Sequence, residues 1–296
     1  MDRRVSEDPR VSVVVPAYNE ADAIVECMEG LRAALDGADF SAEIVVVDDG
    51  STDGTAEKLE QVEGIRLLQH DRNRGYGAAL KTGIRSARGE LIVITDSDGT
   101  YPVARIPELV AGMEQADMVV GARTGENVRI PALRKPAKWF ITALASYLSE
   151  SDIPDLNSGL RVFRRDDAIR LFGILPDGFS FTTTITLAMM SSGMRVDFVP
   201  IDYHQRTGHS KIRPFQDTWN FIVLILRTIA LFNPLKVFLP AATVIGGLGL
   251  GIAIYDMIVH DNIYDAELLL IICALILGAI GMLADIVTRT RLFLVR

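Results

Sequence analysis

Apolar residues recur through the first 220 or so positions in short runs that switch between two periods. Val11–Pro16, Glu43–Val47, Ile65–His70, Glu90–Thr95 and Met118–Gly121 are rich in β-branched residues, have strand length and end in polar turns. Between them lie segments with helical spacing. Glu20–Leu35 places Ile24, Met28, Leu31 and Leu35 on one face, and Thr55–Gln61, Gly77–Ala87 and Pro107–Gln115 follow. This alternation predicts right-handed βαβ units, hence an α/β, Rossmann-like fold with a mostly parallel sheet and helices on both faces. In such sheets ligands bind beyond the carboxyl ends of the strands. The polar tails of the strands are Tyr18-Asn19-Glu20, Asp48-Asp49-Gly50-Ser51, Asp96-Ser97-Asp98 and Gly121-Ala122-Arg123, and they should converge on one rim.

Beyond about Asn220 the pattern changes. Phe215–Leu235 mixes Trp219, Phe221, Leu224, Ile225 and Phe232 with a single Arg227 and reads as an amphipathic helix at a membrane surface. Charge is then absent from Val237 to Tyr255 and again from Leu268 to Ala284, close to the roughly 20 residues a bilayer span needs. The expected division is a catalytic domain over 1–214, an interfacial helix over 215–235, and a transmembrane hairpin over 236–296 with spans near 237–259 and 266–288. The linker holds Asp261, Asp265 and Glu267 without Lys or Arg, whereas Arg227, Lys236, Arg289, Arg291 and Arg296 flank the spans. The positive-inside rule then puts both termini and the N-terminal domain in the cytoplasm of an integral membrane protein. Gly246, Gly247, Gly249 and Gly251 would admit a second helix and suggest a homo-oligomer.

Composition adds three constraints. A hydrophobic fraction of 49% over 296 residues, with mean hydropathy +0.25, fits one large α/β domain plus a membrane appendage. A net charge of −8 with no dominant basic tract gives no reason to expect nucleic acid. Cys27 and Cys273 lie far apart in different segments, which disfavours a disulfide or a CxxC metal site. Met1–Arg10 is polar and does not resemble a signal peptide. Locally, Arg129–Lys138, with Arg134 and Lys135, precedes apolar Trp139–Leu148 and reads as an interfacial helix facing anionic headgroups and a lipid phosphate.

The acidic turns carry the chemistry. Asp96 and Asp98, two residues apart after a strand, can direct carboxylate oxygens at one hard cation. Such a cation would bridge a diphosphate and stabilise it as a leaving group. Acidic turns are common, so the pair gains its meaning from its place after VVVPAYNE and VVVDDGSTDGT.

Val13–Glu20 followed by Val46–Thr55 resembles the opening of family 2 GT-A glycosyltransferases. The nearer likeness is to the polyprenyl-phosphate group, similar to dolichol-phosphate mannose synthases. The resemblance runs from about Val11 to Lys211 through Asn73-Arg74-Gly75-Tyr76-Gly77-Ala78, Val120–Arg123, Asn157-Ser158-Gly159-Leu160-Arg161 and Arg206-Thr207-Gly208-His209-Ser210-Lys211. It implies a GT-A fold, a nucleotide-sugar donor of GDP-mannose or UDP-glucose type, and a dolichyl or undecaprenyl phosphate acceptor. Pro16, Tyr18, Glu20, Val47, Asp49 and Ser97 would line the nucleotide site. Asp96 and Asp98 would hold the diphosphate and Mg²⁺ or Mn²⁺. Arg123, Arg134, Arg206, Ser210 and Lys211 would grip donor and acceptor phosphates, a task suited to the guanidinium fork. One departure stands out: the synthases commonly carry a glutamine ligand after the second aspartate, where this chain has Gly99, Thr100, Tyr101 and Pro102.

A phosphate acceptor is already anionic, so direct displacement with inversion needs positioning and electrostatics more than a strong base. Asp155 is a candidate base or acceptor-orienting residue. Three rivals remain at this level. A processive polysaccharide synthase would carry QxxRW and more spans, yet neither Trp139 nor Trp219 follows an arginine. Transfer to a neutral lipid would require a base. A non-catalytic membrane scaffold would not need Asp96 and Asp98.

Overall fold

The structure, a computed structural model, describes residues 9–124, 153–203 and 234–295, with side chains through residue 288. The predicted interfacial helix, the Arg129–Lys138 stretch, Arg134, Arg206, Ser210 and Lys211 lie outside the described residues. The described chain runs β1 (Val11–Ala17), α1 (Ile24–Asp36), β2 (Ala42–Asp48), α2 (Thr55–Glu60), β3 (Ile65–Gln69), α3 (Tyr76–Ser86), β4 (Leu91–Ile94), a 3₁₀ turn (Val103–Arg105), α4 (Ile106–Gly112) and β5 (Met118–Ala122). All five predicted strands and four predicted helices are present. After them come β6 (Arg161–Arg164), α5 (Arg165–Leu171), α6 (Phe181–Ser191), β7 (Val196–Pro200), and the long helices α7 (Leu235–His260) and α8 (Asp265–Val295).

The seven strands form one sheet in the order β3-β2-β1-β4-β6-β5-β7. Only β6 runs antiparallel, wedged between β4 and β5. Because the sheet is covered on both sides, its strands are apolar at successive positions rather than alternately. Val11, Val13 and Val15 of β1 face the α1/α4 side with Ile44, Val46 and Val93. Val14 faces the opposite side with Val45, Ile92 and Ile94, against Leu80 and Ile84 of α3 and Phe181 and Ile185 of α6.

The sequence predicts no element between 161 and 200, and the reason is local. Helix α6 reads FTTTITLAMMS, a composition that favours a strand, and its Thr182, Thr183, Thr184 and Thr186 are all buried. It is helical because those hydroxyls find partners there. Thr184 Oγ1 donates to the Ser180 carbonyl and Thr186 Oγ1 to that of Thr182. Thr183 Oγ1 bonds the side chain of Asn157.

Helices α7 and α8 are long and apolar enough to cross a membrane, with candidate spans Leu235–His260 and Asp265–Thr288. Outside these helices and their connecting turn, only Tyr18, Val25 and Phe179 among the described residues expose a large apolar side chain. Among the described residues the apolar surface is therefore concentrated on the hairpin, as suits a lipid-facing element. In the turn, the Tyr264 amide donates to Glu267 Oε2 at 2.5 Å, so the acidic residue closes the start of α8. Two of the four glycines admit the other helix of the hairpin. A Cβ on Gly246 would lie 3.1 Å from Ala274 Cβ, and one on Gly249 would lie 2.9 Å from Leu270 Cβ. Gly247 and Gly251 have nothing within 4 Å. Gly249→Val is therefore expected to destabilise the hairpin by about 1–3 kcal/mol, read as a lower Tm in detergent, with Gly247→Val as a control. Equal shifts in the two variants would remove this packing from the account.

Candidate active site

The strand order reverses direction at β1, whose neighbours β2 and β4 lead away on opposite sides. The crevice at such a switch point is where α/β sheets bind ligands. The turns that follow β1, β2 and β4 meet there, and they are stitched together by side chains from VVVDDGSTDGT. The Asn19 amide donates to Ser51 Oγ at 2.9 Å and the Thr52 amide to Asn19 Oδ1 at 2.8 Å. The Glu20 amide donates to Thr55 Oγ1 at 3.0 Å, and the Ala21 amide to Asp53 Oδ2 at 3.1 Å. Slight burial works against the Asp53 carboxylate. The bonds from Thr55 and Ala21 outweigh that and hold its pKa below the usual value. Asp48 is likewise occupied, accepting from the amide and hydroxyl of Ser51.

Of the nucleotide-site candidates, Pro16 and Val47 are buried in β1 and β2, with Val47 packed toward α3 near Gly83. Tyr18 is exposed, Glu20 is half-buried and Ser97 is buried. Asp49 is buried, and both its oxygens are engaged inside the chain. Oδ1 accepts from the Arg74 amide at 2.9 Å and lies 2.6 Å from His70 Nδ1, while Oδ2 accepts from the Gly75 amide at 2.8 Å. His70 is held in turn by Thr82 Oγ1, 2.9 Å from Nε2. Asp49 thus anchors the Asn73–Ala78 turn. Gly75 there has a φ of +104°, a value that other residues rarely adopt.

Asp96 and Asp98 follow β4 at the crevice, both half-buried. Tyr76 donates its hydroxyl to Asp96 Oδ1 at 2.9 Å. Behind the carboxylate stands Gly159, where an added Cβ would come within 2.6 Å of Asp96 Oδ2. Asp98 Oδ1 accepts from the Thr100 hydroxyl at 2.6 Å and the Thr100 amide at 3.2 Å. Thr100 is itself buried and orients Asp98. Burial and the neighbouring Asp98 push the Asp96 pKa up to about 6, against the opposing effects of Tyr76, Arg123 and Arg161. Two like charges held this close, through hard oxygen donors, suit a divalent cation such as Mg²⁺ or Mn²⁺. Beneath them, burial raises the Cys27 thiol to about 11, so it stays protonated and inert.

Arg123 and Asp155 form the opposite wall. Arg123 donates to Asp155 Oδ2 from Nε at 2.7 Å, to Oδ1 from Nη2 at 2.9 Å, and to Oδ2 from its own amide at 3.0 Å. Burial disfavours the guanidinium, yet the bonds to Asp155 outweigh it and raise the Arg123 pKa. Its guanidinium also sits 5.2 Å from the ring centroid of Tyr203, which packs edge-on against Tyr101 at 5.3 Å. The Tyr101 oxygen accepts from the Gly159 amide at 2.6 Å and so links this wall to the support of Asp96.

Tyr76, Tyr101, Gly159, Arg161, His70 and Tyr203 complete this arrangement and were not among the predicted site residues. Tyr76, Gly159 and Arg161 fall inside motifs the sequence singles out, whereas nothing marks His70 or Tyr203. Gly159→Ala is expected to weaken divalent-cation binding by about tenfold or more, roughly the 1.4 kcal/mol of a displaced carboxylate, while Tm moves by only a few degrees. Calorimetric titration with Mn²⁺ checks this, and unchanged affinity would show that Gly159 does not set the position of Asp96.

The family model for glycosyl transferase family 2 matches residues 12–172, and that for the GtrB C-terminal hairpin matches residues 233–290. The chain is 30% identical over 225 residues to the low-salt glycan biosynthesis hexosyltransferase of Haloferax volcanii, covering 74% of this chain but only 53% of that longer protein. It is 30% identical over 216 residues to the undecaprenyl-phosphate mannosyltransferase of Micrococcus luteus, covering 69% of this chain and 87% of that one. Glucosyl-3-phosphoglycerate synthase from Mycobacterium tuberculosis, solved with Mn²⁺, uridine diphosphate and phosphoglyceric acid, shares the fold with a TM-score of 0.58 at 21% identity. That likeness covers 75% of this chain and 78% of the synthase.

Proposed function

The chain belongs to glycosyl transferase family 2, and on that footing we propose that it moves a hexose from a nucleoside diphosphate sugar to a polyprenyl phosphate at the cytoplasmic face of a membrane. The observation that carries this reading is the Asp96/Asp98 pair at the switch point of the sheet, facing the Arg123–Asp155 wall. The polyprenyl acceptor is supported by the GtrB-type hairpin and by relatives such as the undecaprenyl-phosphate mannosyltransferase.

In the proposed reaction an acceptor phosphate oxygen attacks the anomeric carbon. The bond from that carbon to the donor's diphosphate breaks with inversion, and its electron pair leaves on the nucleoside diphosphate. Asp96 and Asp98 would hold Mg²⁺ or Mn²⁺, which supplies charge neutralisation for the diphosphate when bound. The turn anchored by Asp49 and the stitched loops bearing Tyr18 and Glu20 shape the nucleotide pocket. Arg123 presents a fixed positive charge to phosphate oxygens. Arg134, Arg206, Ser210 and Lys211 are proposed to complete the phosphate contacts.

A neutral lipid acceptor would need a base, and Asp155 is the natural candidate. Its two oxygens accept from Arg123 at three donors, which favours a positioning role and hence an acceptor that needs no base. An Asp155→Asn variant therefore cannot decide the acceptor, because it would misplace Arg123 as well.

The direct test supplies the purified full chain with undecaprenyl or dolichyl phosphate and a panel of labelled nucleotide sugars, with Mn²⁺ or Mg²⁺ and then with EDTA. One donor should give labelled lipid, and EDTA should abolish the product. No labelled lipid with any donor would end this reading.

A further inference from the structure

Arg161 is fully buried, and none of its hydrogen bonds goes to a carboxylate. Nε donates to the Ser158 carbonyl at 3.1 Å, and Nη2 donates to that same oxygen. Nη1 donates to the Thr182 carbonyl at 2.7 Å and to Thr186 Oγ1 at 2.6 Å. Among the described residues it has no ion-pair partner. Burying a guanidinium is costly, and a fold that needed only to tie the Ser158 turn to α6 could do so with a neutral amide. Arginine keeps its proton in proteins, so the charge remains in place.

The surroundings give that charge a direction. Arg161 opens β6 opposite Ile94, the last residue of β4, immediately before the segment that carries Asp96. The turn it holds runs from Asp155, the partner of Arg123, to Gly159, the support behind Asp96. Through Ser158, one side chain therefore holds the turn that joins these two parts of the site.

We infer that Arg161 is a positioning residue for the transfer reaction, locking the Asp155–Gly159 turn while its guanidinium, bonded directly to no carboxylate, adds a fixed positive charge to a site that also holds the Asp96 and Asp155 carboxylates. Hydrogen bonds to neutral oxygens satisfy the donors without cancelling that charge, and the low-dielectric surroundings transmit its field. The field acts on the donor diphosphate and more strongly on the departing nucleoside diphosphate as negative charge accumulates. Burial lowers the Arg161 pKa to about 10, still far above neutrality. This inference rests on the proposed use of a nucleotide sugar, but its binding readout needs no acceptor.

The test compares Arg161→Lys, which keeps the charge and loses the fork, with Arg161→Met, which keeps length and loses the charge. Full-length proteins are assayed for Tm, for the affinity of UDP and GDP in the presence of Mn²⁺, and for kcat and KM. Both variants lower Tm, because both lose the bonds to Ser158 and α6. The charge separates them: Met is expected to lose about tenfold or more in nucleoside diphosphate affinity and about a hundredfold in kcat, whereas Lys stays within about tenfold of the parent in both. Where the Met variant does not fold, Arg161→Gln takes its place. Equal affinity and kcat in the Lys and neutral variants would overturn the inference and reduce Arg161 to scaffolding. So would failure of both neutral variants to fold beside a Lys variant with parental kcat. A parent protein that binds UDP or GDP but transfers no sugar would count against the proposed function alone, whereas one that binds neither would overturn both.

Discussion

Replacing Asp98 with alanine is expected to lower sugar transfer by about a thousandfold, or roughly 4 kcal/mol of transition-state stabilisation. The fold should hardly notice. Asp98 is half-buried at the crevice, where it accepts from the hydroxyl and amide of Thr100, bonds that water can replace. Its proximity also raises the Asp96 pKa, so removing it relieves a repulsion between like charges. The signature is lost activity with a Tm unchanged to within a few degrees, and a flat response to Mn²⁺ where the parent protein is activated. Initial rates across a Mn²⁺ titration, beside thermal unfolding, check both halves. A variant that keeps a tenth of the parental rate would mean that this pair does not hold the diphosphate.

Arg123→Ala should carry the second large effect, and here activity and stability fall together. The substitution takes the guanidinium from the Asp155 carboxylate, only 2% exposed, and leaves it with weaker donors such as the main-chain amides of position 123 and Asn157. Breaking a buried pair costs about 3–5 kcal/mol, reduced here to about 2–4 because Arg123 is itself 24% exposed and partly screened. Activity should drop by about a hundredfold or more, since the site loses its forked contact to phosphate oxygens. Arg123→Lys should recover part of the stability and little of the activity, because an ammonium cannot reproduce the two-pronged geometry. The informative measurement is a double-mutant cycle with Asp155→Ala. The double variant should be more stable than Arg123→Ala alone, since no buried carboxylate then lacks its guanidinium counter-charge. Strict additivity in that cycle would show that the pair contributes nothing as a pair.

The first two-thirds of the sheet was legible because its strands are buried on both faces and thus read as unbroken apolar runs, while the helices between them keep one apolar stripe. Val11–Ala17 and Ile24–Asp36 are examples of each, placed within a few residues of their observed ends. The two long helices were legible from their charge-free runs, each of a length that can cross a bilayer. The region from Arg161 to Pro200 was not. Strand β6 has only four residues and runs against its neighbours, while α6 is built from residues whose composition favours a strand. Tertiary partners for threonine hydroxyls decided that segment, and a local pattern does not contain them.

The site divides along a similar line. Asp96, Asp98 and Arg123 could be named because they terminate strands, where position alone implies the rim. What supports them could not. The acidic motif after β2 looks like ligand chemistry, yet Asp48, Asp49 and Asp53 mainly hold loops in place through hydrogen bonds that cross 2 to 32 residues of sequence. Asp155 reads from the sequence as a base or an acceptor-orienting residue, and its pairing with Arg123 could not be foreseen because that arginine lies 32 residues away. Tyr203, stacked under that arginine, carries no sequence signal at all.

Val237, in the first turn of α7, packs against an apolar cluster of Ile153, Leu156 and Leu187. Leu156 directly follows Asp155, so the membrane hairpin and one wall of the crevice share a single patch of packing. The hairpin is then a mounting bracket and not a leash. On the proposed membrane reading, it would set the height and tilt of the crevice over the bilayer, and with them the depth at which a headgroup must sit to be reached. Acceptors would be met by a two-dimensional search at fixed altitude, and a lipid whose reactive oxygen rides too high or too low would pass beneath the site unread.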